Sequence, residues 1–170
     1  NDDMQGAGGR DTLFGNEGQD TLRGGSSRDR LEGGTDNDEL SGGNGRDVLL
    51  GGRGNDVLMG DKGADKLSGG RDDDLLDGGA ANDRLEGGLG SDIFVFAKGH
   101  GYDVIFDFDA LNDDEVIDLA GVSTITSFAD LSGAAQQDGG NVVITTAAQN
   151  TIRLEGVNLD DLDAADFVFV

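Results

Sequence analysis

The sequence predicts an all-β protein: a solenoid of ten stacked turn-and-strand units, closed at its C-terminal end by a β-rich cap. Three observations carry that reading. An aspartate returns every ninth residue from Asp11 to Asp92 without insertion or deletion. Each unit is dense in glycine and places one large apolar residue two positions after its aspartate. The period stops at Phe96, where aromatic and alternating apolar runs take over. Low-complexity disorder has biased composition but no phase, whereas a phase held over ten units defines a repeat architecture.

The units run from Gly6 to Val95, and the pair GGNGRDVLLGGRGNDVLM at 42–59 shows the pattern twice. Position one is always glycine, position six always aspartate, and position eight is leucine nine times and then Phe94. Six glycine-rich residues predict a turn with positive-φ positions. The remaining x-Leu-x predicts a minimal strand with its middle side chain turned inward. Two units then make one coil of eighteen residues, with two strands back to back and their leucines meeting inside. The aspartates accordingly fall into two rows on opposite edges. Odd units supply Asp11, Asp29, Asp47, Asp65 and Asp83; even units supply Asp20, Asp38, Asp56, Asp74 and Asp92. Residues 1–5 read as a leader or linker, 6–95 as the solenoid and 96–170 as a C-terminal region that caps it and ends in the segment discussed below.

Composition narrows the function. The 170 residues include no cysteine, no proline and one histidine, which excludes a disulfide scaffold and any zinc site built on Cys or several His. Apolar runs such as IFVFA at 93–97 are too short to cross a bilayer. A formal net charge of −23 disfavours nucleic acid and anionic membranes as partners. Low hydrophobicity with high net charge marks a chain that needs help to fold. One leucine per nine residues buries too little to offset the ordering of nine backbones. Rows of carboxylates at a strand spacing of about 4.8 Å repel one another unless a hard cation lies between them. Calcium suits this setting best, since it accepts six to eight oxygens in flexible geometry, backbone carbonyls included.

The GGxGxDxUx pattern resembles the nonapeptide of the RTX family of secreted bacterial proteins, a known calcium-binding repeat. The resemblance implies a parallel β-roll with Ca²⁺ held between turn n and turn n+2. In such rolls the earlier turn gives the carbonyls of positions two and four and its Asp, and the later turn gives those of positions one and three and its own Asp. Carried onto this chain, one ion joins Gly43, Gly45 and Asp47 to Gly60, Lys62 and Asp65. Its neighbour on the same edge joins Asp61, Gly63 and Asp65 to Gly78, Ala80 and Asp83. On the other edge, Gly34, Asp36 and Asp38 meet Gly51, Arg53 and Asp56. The next even gap joins Gly52, Gly54 and Asp56 to Gly69, Arg71 and Asp74, and the last joins Gly70, Asp72 and Asp74 to Gly87, Leu89 and Asp92. Ten turns imply about eight ions. The units hold 19 acidic and 10 basic residues, a net of nine negative charges that eight divalent ions more than neutralise. KGHGYDVIF at 98–106 is a degenerate unit displaced by two residues, and it implies a ninth gap between Gly79, Ala81 and Asp83 and Asp103. Its His100 falls at a variable turn position and reads as a solvated loop histidine.

Seven units depart from the consensus. Position four is Ser27, Asp36, Asp72 or Ala81, and position two is Ala7, Asn16 or Asp61. A non-glycine residue at positive φ costs about 1 kcal/mol, less for Asn or Asp. The sites using units one to three, and the one using Ala81, are therefore expected to be weaker or less ordered.

From Phe96 onward there are 14 acidic and 2 basic residues, and seven of the eight phenylalanines lie at or beyond Phe94. DVIFDF (103–108), EVIDL (115–119), NVVIT (141–145) and NTIRL (150–154) read as strands, and a short helix is expected to start near Ser127. This region would close the open end of the solenoid, as terminal repeats must. GYDVIFDFDALNDDEVIDLAGV and the ending LDAADFVFV also resemble the C-terminal region of serralysin-type metalloproteases and related type I exoproteins. That resemblance implies an uncleaved export signal, here Asp166-Phe167-Val168-Phe169-Val170, read by type I secretion machinery.

The reading that follows is a secreted, extracellular calcium-binding module. It is unfolded at low Ca²⁺ for export, folds on extracellular Ca²⁺, and helps an upstream effector domain of the same polypeptide to fold. The alternative is an accessory module that binds a polysaccharide, as in modules attached to alginate-modifying enzymes; Arg10, Arg28 and Arg46 share one edge and would face an anionic polymer. An ice-binding roll would want a regular rank of Thr or Asn, which the variable positions lack. An enzyme is not expected, since the HExxH zinc helix of serralysin-like proteases is absent and there is a single histidine. Asn1 opens in what reads as mid-protein, so a catalytic or adhesive part is expected upstream.

Overall fold

Residues 1–111 and 114–169 are described by a computed structural model of the chain. Asn112 and Asp113, within the serralysin-like stretch, and Val170, the last residue of the export motif, lie outside the described residues. In chain order the strands of the roll are β1 (Asp3–Gln5), β2 (Thr12–Glu17), β3 (Thr21–Ser26), β4 (Arg30–Thr35), β5 (Glu39–Asn44), β6 (Val48–Arg53), β7 (Val57–Met59), β8 (Lys66–Arg71), β9 (Leu75–Asp77) and β10 (Arg84–Leu89). The chain continues through β11 (Ile93–Ala97), β12 (Tyr102–Ile105), β13 (Val116–Gly121), helix α1 (Phe128–Ala134), β14 (Ala135–Asp138), β15 (Asn141–Ala147), β16 (Asn150–Leu154), a 3-10 turn at Leu159–Asp161 and β17 (Phe167–Val168).

These strands form two sheets, each taking every second strand. One runs β1-β3-β5-β7-β9-β11-β13-β17, the other β2-β4-β6-β8-β10-β12-β16-β15-β14. All pairings are parallel except the last two of the second sheet, where β16, β15 and β14 turn antiparallel. Within the roll the register steps by one coil: Leu22 faces Leu40, and Leu40 faces Leu58. The parallel β-roll with a β-rich cap is thus the architecture of the molecule.

Two features differ from the sequence expectation. Most strands are six residues, not three, because the ladder resumes at positions two and three of the following unit after skipping position one, as in Leu49↔Leu67 followed by Gly52↔Gly70. The glycine segment is therefore half strand, and position one leaves the ladder. Residues 1–5, read as a leader, supply the first strand of the roll: Met4 pairs with Leu22, so Asp2-x-Met4 repeats the Asp-x-Leu spacing.

The core is one continuous cluster. Leu22, Leu31, Leu40, Leu49, Leu58, Leu76 and Leu85 are fully buried, and Leu13, near the open end, is partly so. At the cap the ladder changes to larger residues. Phe94 pairs with Ile117, Ile117 with Phe167, and Ile105 with Leu154. The Phe94 and Phe108 rings meet edge to face at 6.2 Å. Helix α1 starts at Ser127, whose hydroxyl accepts the Asp130 N–H at 3.2 Å, an N-cap of ordinary form. β14, unforeseen in the sequence, follows directly from α1.

Candidate metal centre

Each row aspartate spends its two carboxylate oxygens differently. Oδ1 accepts the backbone N–H of the aspartate one coil earlier. Asp29, Asp38, Asp47, Asp56, Asp65, Asp74, Asp83 and Asp92 do so at 2.7–2.9 Å. Asp47 is linked in this way to Asp29 and Asp65 and not to Asp56, so the rows run with period eighteen. Oδ2 is different. In all ten repeat aspartates, Asp11 through Asp92, it is buried and has no hydrogen-bond partner among the described residues. A buried, unpaired carboxylate oxygen is costly, and ten in register call for a shared explanation.

The space around those oxygens is shaped by glycine. A Cβ at Gly42 would lie 2.8 Å from Asp47 Oδ2 and 3.0 Å from the Gly60 carbonyl oxygen of the next coil. At Gly24 the same point lies 2.8 Å from both Asp29 Oδ2 and Gly42 O. Position one is thus the floor of a small space that a carboxylate oxygen and a carbonyl from the coil above enter together. That close approach falls at the position where the strand ladder skips a rung. The same arrangement sets Asp65 Oδ2 beside Gly78 O, Asp56 Oδ2 beside Gly69 O, Asp38 Oδ2 beside Gly51 O and Asp74 Oδ2 beside Gly87 O.

Most of the other carbonyls named from the sequence lie in the backbone contacts between consecutive coils. Gly43 O accepts the Lys62 N–H at 2.8 Å, and Lys62 O accepts the Gly45 N–H at 2.8 Å. Asp61 O and Ala80 O do the same one gap later, toward Ala80 and Gly63, and Arg71 O accepts from Gly54. A carbonyl has a second lone pair, so these bonds leave each oxygen an open acceptor. Gly45 O, Gly34 O, Asp36 O, Gly52 O, Gly70 O, Asp72 O, Gly79-side Asp61 O and Ala81 O abut the glycine at the matching position of the next coil. Arg53 and Leu89 occupy the corresponding rungs opposite Arg71. From Asp11 to Asp74, each row carboxylate thus has the position-one carbonyl of the next coil beside its Oδ2. Among the described residues no three His, Asp or Glu side chains converge as a cluster, and backbone oxygens are the remaining donors.

All seven departures from glycine sit where the chain needs positive φ: Ala7, Asn16, Ser27, Asp36, Asp61, Asp72 and Ala81 have φ between 68° and 98°. Four are Asn or Asp, the residues that tolerate this region best.

Burial dominates the acidity of the rows. It pushes Asp56, Asp65 and Asp74 up to about 7 and Asp83 up to about 8, with neighbouring row carboxylates adding to the rise and the backbone N–H bonds opposing it. Asp38, Asp47 and Asp92 are raised for the same first cause. A divalent cation is the natural counter-charge to such a site.

The two rows end differently. At the end of the even row, Glu115 occupies the aspartate position: Val116 N donates to Asp92 O at 2.9 Å, and Glu115-x-Ile117 has the Asp-x-Leu spacing. Glu115 is buried and pushed up to about 7 by desolvation, with Asp107, Asp92 and Asp109 contributing. Asp107 accepts from the Gly87 and Gly88 N–H groups at 3.1 and 2.9 Å. Neither acid was foreseen, although the spacing within EVIDL carried the signal. At the end of the odd row, Asp83 N donates to Asp103 Oδ1 at 2.8 Å, continuing the pattern. Here His100 corrects the sequence expectation: it is buried at 3% exposure, with Nδ1 2.5 Å from Asp103 Oδ2 and Nε2 2.6 Å from Thr146 Oγ1. The cap supplies Thr146, and no local pattern around His100 reveals a partner 46 residues away.

Comparison with known proteins identifies the repeats. A family model described as the RTX calcium-binding nonapeptide repeat (4 copies) matches residues 1–31, 23–58 and 59–94. No curated protein sequence matches. Among solved structures, an extracellular lipase, LipA, from Serratia marcescens is 16% identical over 91% of this chain with a TM-score of 0.48, and this chain spans 40% of its length. The AlgE6R3 subunit of the mannuronan C5-epimerase of Azotobacter vinelandii is 28% identical over 86% of this chain and 81% of that one, with a TM-score of 0.50.

Proposed function

This chain belongs to the family of RTX calcium-binding nonapeptide repeats, and on that premise we propose that it is a calcium-driven folding module of an exported protein. The observation that supports this most directly is the set of ten buried aspartate Oδ2 atoms without a partner among the described residues, eight of which, Asp11 to Asp74, lie beside a position-one carbonyl of the next coil. Calcium between consecutive coils of one edge would take these oxygens and the carbonyls assigned above, about eight ions in the repeats with a ninth at Asp83–Asp103. At the end of the even row Glu115, standing at the next aspartate position after Asp92, would supply the second carboxylate of a further gap.

Without calcium the roll holds its carboxylates buried and unpaired, and the unfolded chain is favoured. In a cytoplasm poor in free calcium the chain would stay threadable for type I export, with the C-terminal Asp166–Phe169 segment as part of the signal. Outside the cell, binding energy becomes folding energy, and the folded module would stabilise an upstream domain. Circular dichroism during a Ca²⁺ titration, with and without chelator, tests this. β-structure should appear with calcium and vanish on chelation; a chain already β-rich in chelator at neutral pH would sink the reading.

A second reading, polysaccharide binding, is favoured by one observation. Arg10, Arg28 and Arg46 stand one coil apart on the odd edge, outside the ion pairs formed by Arg23, Arg30 and Arg153. Retardation of the calcium-loaded protein in alginate affinity electrophoresis, lost on replacing the three arginines with glutamine, would support it.

A further inference from the structure

Asp103 differs from all ten repeat aspartates in one respect. Its Oδ1 follows the row, but its Oδ2, the oxygen left without a partner everywhere else, is taken by His100 Nδ1 at 2.5 Å. The ring bridges onward through Nε2 to Thr146 Oγ1 on β15 at 2.6 Å, and that hydroxyl reaches Asn150 O at 3.2 Å. Asp103, His100 and Thr146 are each at most 3% exposed, and Phe96 holds the imidazole edge-on with ring centroids 5.1 Å apart. An Nδ1–H exists in the neutral δ tautomer and in the imidazolium alike, so the contact with the carboxylate does not depend on the charge of the ring.

We propose that His100 is the built-in stop of the odd row: a protein side chain takes the carboxylate oxygen that every earlier turn leaves for a cation, and ties the last coil to the cap without metal. The strand beyond supports this. β12 is followed in its sheet by β16, and the turn that leads from β15 into β16 is Ala148-Gln149, with no glycine to present carbonyls as the repeat turns do. The row thus passes from a part of the chain whose turns suit an ion to a part whose loop does not, and the imidazole stands at that boundary. The proposal rests on reading the unpaired Oδ2 atoms as cation ligands, but the bridge itself is tested separately.

In the calcium-loaded wild-type protein, ¹⁵N-edited NMR of the single histidine should show a slowly exchanging, far-downfield Nδ1–H; an Nδ1 without a proton overturns the proposal. His100→Ala should lower the melting temperature in saturating calcium by several degrees, whereas His100→Asn, which keeps an N–H donor for Asp103, should recover part of the loss. Thr146→Val removes the onward contact and should lower it by less than His100→Ala. Native mass spectrometry should count the same number of calcium ions in wild type and His100→Asn. One ion fewer in His100→Asn makes His100 a calcium ligand and overturns the stop, as does a His100→Ala variant that melts like wild type. A wild-type chain that binds no calcium refutes the calcium reading and is distinguished by the same count.

Discussion

The roll and the cap solve the same problem, burying a β-sheet face, with different means. Along the roll the inner coils bury two leucines each and, on their edges, two carboxylates with an oxygen unpaired among the described residues. In the cap, Phe96, Ile117, Leu119, Ile144, Ile152, Leu154 and Phe167 fill a conventional interior. Its buried polar groups find protein partners, as Thr146 and His100 do. The difference teaches where polar groups find their partners: in the cap other parts of the chain supply them, while in the roll one oxygen of every row aspartate has none among the described residues.

That contrast can be broken most strongly by one methyl group. Gly63 has φ +140°, and a Cβ there would coincide with the Gly45 carbonyl of the coil below. Gly63→Ala should cost well over 2 kcal/mol, since the left-handed penalty alone is about 1–2 kcal/mol and the clash is with backbone. Gly139 in the cap also has positive φ, at +64°, but meets nothing within 4 Å, so Gly139→Ala should cost only about 1–2 kcal/mol. Melting curves in saturating calcium compare the two; equal losses would mean that the close stacking of coils is not what restricts the roll.

A second test uses pH. In the metal-free fold burial holds Asp56, Asp65 and Asp74 at about 7 and Asp83 at about 8, above the ordinary 3.8. Groups that bind protons more tightly when folded favour the fold fully below the unfolded value, and this support is lost as pH rises through the folded values. Acidification in chelator from about pH 8 to pH 4 should therefore shift the metal-free chain toward β-structure by circular dichroism. With calcium present the direction reverses for binding, because protons compete for the same oxygens, and the calcium midpoint should move to higher concentration below about pH 7. A metal-free chain with pH-independent structure over this range would separate burial from the acidity of the rows.

The smallest effect expected is at the boundary itself. Ala81 sits at φ +98° in the last odd unit. Ala81→Gly should stabilise the calcium-loaded protein by about 1 kcal/mol, the cost of a left-handed non-glycine residue, read as a rise in melting temperature. Asp72→Gly should gain less, since aspartate tolerates that region.

The roll was legible in the sequence because each of its contacts repeats at a fixed separation. Asp47 meets Asp65 and Leu49 meets Leu67 for the same reason, and one phase gives both. Even the positive-φ positions followed from the consensus. The extra strand length was not legible, because Gly-Gly at positions one and two reads as turn although position two rejoins the ladder. Nor was the site's end. Glu115 and Asp107 fall after an insertion that breaks the phase, and His100 depends on Thr146, brought to it only by the antiparallel hairpin of β15 and β16.

The eighteen-residue register has a mechanical consequence. Each coil of the roll is tied only to the coils directly before and after it, so no strand of the repeats is clamped by a distant part of the chain. Pulled from its ends, such a structure has no single breaking point: it should pay out about eighteen residues at a time, each step releasing one coil. The tension it bears would rise with calcium concentration. Optical-trap traces with steps of one coil length, growing in force as calcium is added, would be the signature of a spring whose stiffness is set by the surrounding ion.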